Sequence, residues 1–87
     1  MKHLCPVCGW PELADPPRNA SGAASFEICP CCGFEFGFDD DDQGLTYDAA
    51  RARWMAGGMK WWSTSRPAPA GWNASEQLGR AGFRAGG

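Results

Sequence analysis

The sequence contains one histidine, His3, in 87 residues. With no second imidazole, no nucleophile–base pair within sequence reach and no glycine-rich phosphate loop, catalysis lacks its usual parts, and the chain is not expected to be an enzyme. Long apolar runs are also missing. No stretch approaches the ~20 residues of a membrane span, and "MKHLCPVCGW" has no apolar run of signal-peptide length. A cytoplasmic protein without membrane attachment is expected. A large core is excluded too: a chain of 9.4 kDa is one domain, and domains below roughly 70 to 80 residues usually need a staple.

Cysteine is what the sequence has in quantity, five residues in all. In a reducing compartment paired thiols favour metal binding over disulfides, and the odd count fits disulfides poorly. "CPVCG" at Cys5 to Gly9 returns as "CPCCG" at Cys29 to Gly33. Two residues between paired cysteines let a tight turn aim both sulfurs at one point, and two such turns supply four thiolates at ~2.3 Å from one Zn²⁺. Pro6 and Pro30 stiffen the turns by fixing φ, while Gly9 and Gly33 permit positive φ and close backbone approach. Cys5, Cys8, Cys29 and Cys32 are therefore the expected ligands of one Zn²⁺. With every position filled by protein, that zinc is structural rather than catalytic.

Cys31 is out of register with the first phrase. It reads as a small side chain in the turn, solvated or half buried, or alternatively as a thiol placed to exchange disulfides when the metal is oxidised off.

Charge is divided along the chain. Residues 26–48 carry seven carboxylates, including the Asp39–Asp42 run, and no lysine or arginine; residues 49–87 carry six cations against Glu76. The two segments are expected to attract each other. The aspartate run lacks the spaced ligands and closing glutamate of a calcium loop and reads as a solvated turn before a helix, although a second cation there stays open. His3, beside Cys5, reads as surface.

The periodicity predicts a small α+β protein. "SFEIC" and "GFEFGF" alternate as two short strands flanking the second cysteine phrase, with Phe34, Phe36 and Phe38 on one face. Thr46 can cap a helix over about 47–57, with Tyr47, Ala50, Trp54 and Met55 as its apolar stripe and Arg51 and Arg53 off it. Asn73 and Glu76 are spaced as a cap and its N3 partner, predicting one or two turns in "ASEQLGR". One domain over 1–80 follows, a zinc-ribbon-like β-hairpin unit with two knuckles (1–38) and then a helix with a Trp-rich segment (45–80), before a flexible tail at 81–87.

From Cys5 to about Leu78 the blocks "CPVCG", "ICPCCGFEFGFDDDD", "GLTYDAARARWMAGGMKWW" and "WNASEQL" resemble small bacterial proteins related to the cysteine-rich CPCC family. The resemblance implies a zinc-ribbon-like module followed by a helix, and it transfers no reaction. In those relatives Cys-Pro-Cys-Cys often begins the first phrase, whereas here it is the second. The choice among Cys29, Cys31 and Cys32 as ligands therefore stays open on the resemblance, while spacing favours Cys29 and Cys32.

Five tryptophans are a large apolar load for such a chain, and most should pack the helix and C-terminal segment onto the ribbon. Neighbours in an extended chain point opposite ways, so Trp61 and Trp62 should differ in exposure. An exposed tryptophan beside Lys60 and Arg66 suits a macromolecular partner. A protein partner is expected ahead of nucleic acid, because the acidic loop and the pI of 5.1 disfavour phosphate binding. A thiol redox or metal-handling role through Cys31 and the zinc thiolates is the alternative.

Overall fold

Each cysteine phrase is a closed loop whose ends are tied by backbone hydrogen bonds. In the computed structural model, which describes residues 2–83, His3 and Leu13 exchange two N–H···O bonds of 2.9 Å around the first phrase, and Ile28 pairs with Glu35 around the second. A third antiparallel bridge, Arg18 with Ala24, closes a small loop in which the Asn19 Oδ1 accepts from Ser21 N, Ser21 Oγ and Ala23 N.

The two strands expected around the second phrase are reduced to the Ile28–Glu35 bridge and the backbone bonds beside it, Cys29 N to Phe34 O, Phe36 N to Glu27 O and Phe26 N to Phe36 O, and the reason is local. Phe26 has a φ of 59°, which breaks the extended chain just before Glu27. Beyond Phe34 the chain coils: Asp39 N donates to Glu35 O and Asp42 N to Phe38 O. Carboxylates fix the coil, since Asp39 Oδ2 accepts from Glu35 N and Asp40 Oδ1 from Gly37 N. Aspartates at these positions give the backbone an alternative to strand pairing. Phe34 and Phe36 are buried as expected, but the coil turns Phe38 outward, and Phe26 and Ile28 are exposed as well.

The helices lie where capping residues place them. Helix α1 spans Tyr47–Ala56, with the Thr46 hydroxyl accepting from Ala49 N, and α2 spans Ala74–Arg80, with the Asn73 side chain accepting from Glu76 N. Gly57 and Gly58 end α1, Gly58 at a φ of 99°. Of the expected stripe, Ala50 is buried and Tyr47, Trp54 and Met55 are half-buried. Neither helix is long and apolar enough to cross a membrane.

Between the helices runs an extended segment that pairs with the second phrase: Trp62 N donates to Cys31 O and Ser63 N to Pro30 O, both at 2.9 Å. Trp61 turns inward, edge-on to Trp10 at 4.9 Å and to Trp72 at 5.4 Å. Trp62 turns outward and is 54% exposed, the alternation expected of an extended chain. Of the tail placed at 81–87, residues 84–87 lie outside the described residues. Residues 81–83 are tied down, since Phe83 N donates to Leu78 O and the Phe83 ring lies 3.7 Å under the Arg51 guanidinium.

The acidic and basic segments do not neutralise each other broadly. Among the described residues the ion pair joining them is Asp48 with Arg51, within α1. The aspartate run is instead clamped by Arg18, which reaches Asp40 at 2.9 Å and Asp41 at 2.6 Å. Burial alone would raise the Asp40 carboxyl, but Arg18 and the N–H groups of Gly37 and Asp41 outweigh it and hold the group below its ordinary value. A depressed carboxyl stabilises the fold fully above the unfolded-state pKa of about 3.9 and loses that contribution as pH falls through the folded-state value. The urea-unfolding difference between wild type and Asp40→Asn should therefore be constant near neutrality and close only below that pH.

Candidate metal centre

The two cysteine phrases fold into the same turn twice. Gly9 N donates to Cys5 O (2.9 Å) and Cys5 N to Trp10 O (2.7 Å); Gly33 N donates to Cys29 O (2.8 Å) and Cys29 N to Phe34 O (3.0 Å). Both glycines take positive φ, 86° and 81°, which a side chain would strain. Both are also covered. A Cβ on Gly9 would stand 2.8 Å from the Ala81 Cβ, and one on Gly33 would stand 2.6 Å from the Trp62 indole.

These turns bring the Sγ atoms of Cys5, Cys8, Cys29 and Cys32 within 4.8 Å of one another. The closest approaches cross between the turns, Cys8 to Cys29 at 3.7 Å and Cys5 to Cys32 at 3.9 Å. A disulfide requires about 2.05 Å, so these are separate thiols. A tetrahedron of sulfurs at ~2.3 Å from a central ion has edges of about 3.8 Å. The donor set therefore fits a tetrahedral metal ion in both chemistry and spacing, and the four cysteines expected from spacing are the four that converge.

Such crowding couples the thiols. Hydrogen bonds from Cys29, Cys32 and Cys8 converge on Cys5 and, with the Cys8 backbone N–H, push its thiol far down. Cys8 and Cys32 are pushed up, each first through its hydrogen bond with Cys29. Metal binding must displace these protons, so affinity falls in acid.

Cys31 is neither solvated nor half buried: its exposure is 0%. Gln77 Nε2 donates to its Sγ at 3.3 Å and to the Cys8 carbonyl at 2.9 Å, while Gln77 Oε1 accepts from Trp72 Nε1 at 2.8 Å. The thiol is lowered first by its hydrogen bond with Cys8, and Gln77 adds to this against the opposing effect of burial. One buried amide thus fastens α2 to both cysteine turns.

Arg51 holds the first turn from the other side. Its Nε donates to Val7 O at 2.8 Å and its Nη2 to Pro6 O at 2.6 Å. Expected off the apolar stripe, it is only 17% exposed. Its spacing was the available signal: Tyr47, Arg51 and Trp54 stand at i, i+4 and i+7, on one helix face. Gln77 left no comparable mark, because nothing local marks the carbonyl of Cys8 as its partner. His3 is half-buried and bridged to Leu13, apart from the thiol cluster. Among the described residues the aspartate run forms no metal-ligating group.

Two Bacillus subtilis proteins are similar to this chain. Uncharacterized protein YozI is 37% identical over a region covering 67% of this chain and 60% of its own length. Uncharacterized protein YoaQ is 45% identical over 45% of this chain and 34% of its own length. The chain thus spans less than two thirds of either relative. No family model and no solved structure matches it.

Second-layer contacts of this kind typically matter 10- to 100-fold in metal affinity. Arg51→Ala should weaken metal binding by about that factor in a chelator competition. Gln77→Ala strands the Trp72 N–H and the Cys8 carbonyl and should cost on the order of 1–3 kcal/mol in urea unfolding of the metal-loaded protein.

Proposed function

We propose that this protein is a small, non-catalytic zinc module of the cytoplasm, in which Cys5, Cys8, Cys29 and Cys32 hold one structural Zn²⁺ and the tryptophan-rich segment docks a protein partner. The observation that carries this reading is the convergence of the four Sγ atoms within 4.8 Å, each on a turn closed by the same pair of backbone hydrogen bonds. Zinc suits four thiolates in a closed tetrahedron, where no position is left for substrate. Its binding free energy, on the order of 10–16 kcal/mol in small zinc peptides, is folding free energy. The resemblance to CPCC-related proteins is in keeping with this role.

Support for a partner surface comes from Trp62. It is the most exposed tryptophan, and it projects from a backbone pinned to Cys31 and Pro30. Exposed aromatics on rigid backbone favour macromolecular contact. Lys60 and Arg66, both exposed, lie in the same segment and among the described residues neither makes an ion pair, with the Arg66 guanidinium over the Trp10 ring at 5.9 Å. Nucleic acid is the second reading, favoured by that same pairing of cations with an aromatic.

Native mass spectrometry of protein purified without chelator should find one zinc per chain. Chelation should abolish the near-ultraviolet circular dichroism of the tryptophans, and zinc should restore it. A photo-crosslinker replacing Trp62 in the native host should yield a protein adduct. Salt-dependent binding of a short single-stranded oligonucleotide would instead favour the nucleic-acid reading.

A further inference from the structure

Among the described residues two apolar faces stay uncovered, and the charges beside them are opposite. The first belongs to the hairpin that carries the second cysteine phrase. Ile28 stands opposite Glu35, and the Phe26 ring lies over Gly37, where a Cβ would stand 2.6 Å from the Phe26 Cε1. Residues two apart on paired strands share a side, so Phe26, Ile28 and Glu35 form one face. Phe26 is 64% exposed and Ile28 44%. The opposite side is closed, with Phe36 buried and the Glu27 carboxylate accepting from Ala14 N and Asp15 N. Glu35 makes no ion pair among the described residues. Asp39 and Asp40 sit on the N–H groups of Glu35 and Gly37, and Arg18 offsets only Asp40 and Asp41. Arg53 borders a neighbouring groove with Phe38 and Asp39 but bridges to no carboxylate among the described residues.

The second face is built on Trp62, whose ring lies over Gly33. Lys60 stands two positions earlier in the same extended segment, on the same side. It is exposed and makes no ion pair among the described residues. One face thus offers an aromatic ring beside a carboxylate, and the other an aromatic ring beside an ammonium. Like faces of two molecules would set like charges together, whereas unlike faces match in both polarity and charge. Within one molecule the ion pair joining the acidic and basic segments is Asp48 with Arg51, so this complementarity is left unused.

We propose that the tryptophan surface takes a second copy of this chain: Trp62 and Lys60 of one copy pack on Phe26, Ile28 and Glu35 of the other. The rings and Ile28 exclude water at the centre of the contact, and the Lys60 ammonium meets the Glu35 carboxylate at its rim. Few residues take part, which places the contact in the small, reversible class of interface. The inference names the partner of the tryptophan surface proposed above and rests on that reading.

Sedimentation velocity of protein purified without chelator, from about 10 µM to about 1 mM chain, spans the affinities of such contacts. The expected result is a sedimentation coefficient that rises with concentration, and rises less in about 0.5 M sodium chloride. Phe26→Ser should weaken association roughly tenfold or more, as loss of an aromatic anchor does. Glu35→Lys and Lys60→Glu should each weaken it about three- to tenfold alone, because each sets like charges across the contact. Equimolar mixing of these two variants should restore wild-type association, since the exchanged charges then meet between unlike copies; the same recovery shows that both variants are folded. Monomer throughout the concentration range, or a mixture that associates no better than its components, overturns the proposal. The photo-crosslinker replacing Trp62 separates it from the reading above. An adduct of twice the chain mass is expected; monomeric protein with an adduct to a different protein overturns self-association alone, and no adduct of either kind overturns both.

Discussion

Four sulfurs meeting within 4.8 Å is a constraint that the rest of the molecule is arranged to satisfy. Left alone, packed thiols share protons and repel as they ionise; around a cation they become the strongest cross-link in the chain. Half of the largest fully buried side chains are cysteines: Cys5, Cys8, Cys29 and Cys31, beside Phe36, Leu13, Leu78 and Val7. The hydrophobic core is therefore a shell around a polar centre, and the shell alone is small for a chain of this length. The two helices and the tryptophan segment act as outer braces. Arg51 fixes the carbonyls of the first turn, Trp62 lies across the glycine of the second, and Gln77 joins both.

These braces explain why so little regular strand is needed. Sheet edges normally hold a small β-unit together through repeated backbone pairs. Here three bridges suffice among the described residues, because each cysteine turn is closed by its own hydrogen bonds and the four sulfurs converge. The charged side chains serve the same end locally. Arg18 draws Asp40 and Asp41 together, and the Asp40 carboxylate caps the coil leading toward α1 by accepting from Gly37 N and Asp41 N.

What could be read from the sequence was what is encoded by spacing. The ligand quartet follows from two CxxC phrases, and both helix starts follow from Thr46 and Asn73, since each depends on residues a few positions apart. Alternation in "SFEIC" and "GFEFGF" misled, because the positive φ of Phe26 and the carboxylate caps of Asp39 and Asp40 are set by contacts that a period-two pattern does not contain. The burial of Cys31 was out of reach for a similar reason. It depends on Gln77, 46 positions away, and on the segment 61–63 laid along the second turn. Local backbone contacts overrode the strand pattern, and long-range packing buried Cys31.

The Gln77 amide bridges 69 positions to reach the Cys8 carbonyl, and this has a bearing on synthesis. A chain emerging from the ribosome presents its N-terminal residues first, so both cysteine turns emerge ahead of α2. During that interval the thiol cluster has its ligands but neither the α2 latch nor the Trp61–Trp62 cover. In that interval Cys31 lacks the cover that Gln77 gives it. Formation of α2 is what closes the two cysteine turns over Cys31.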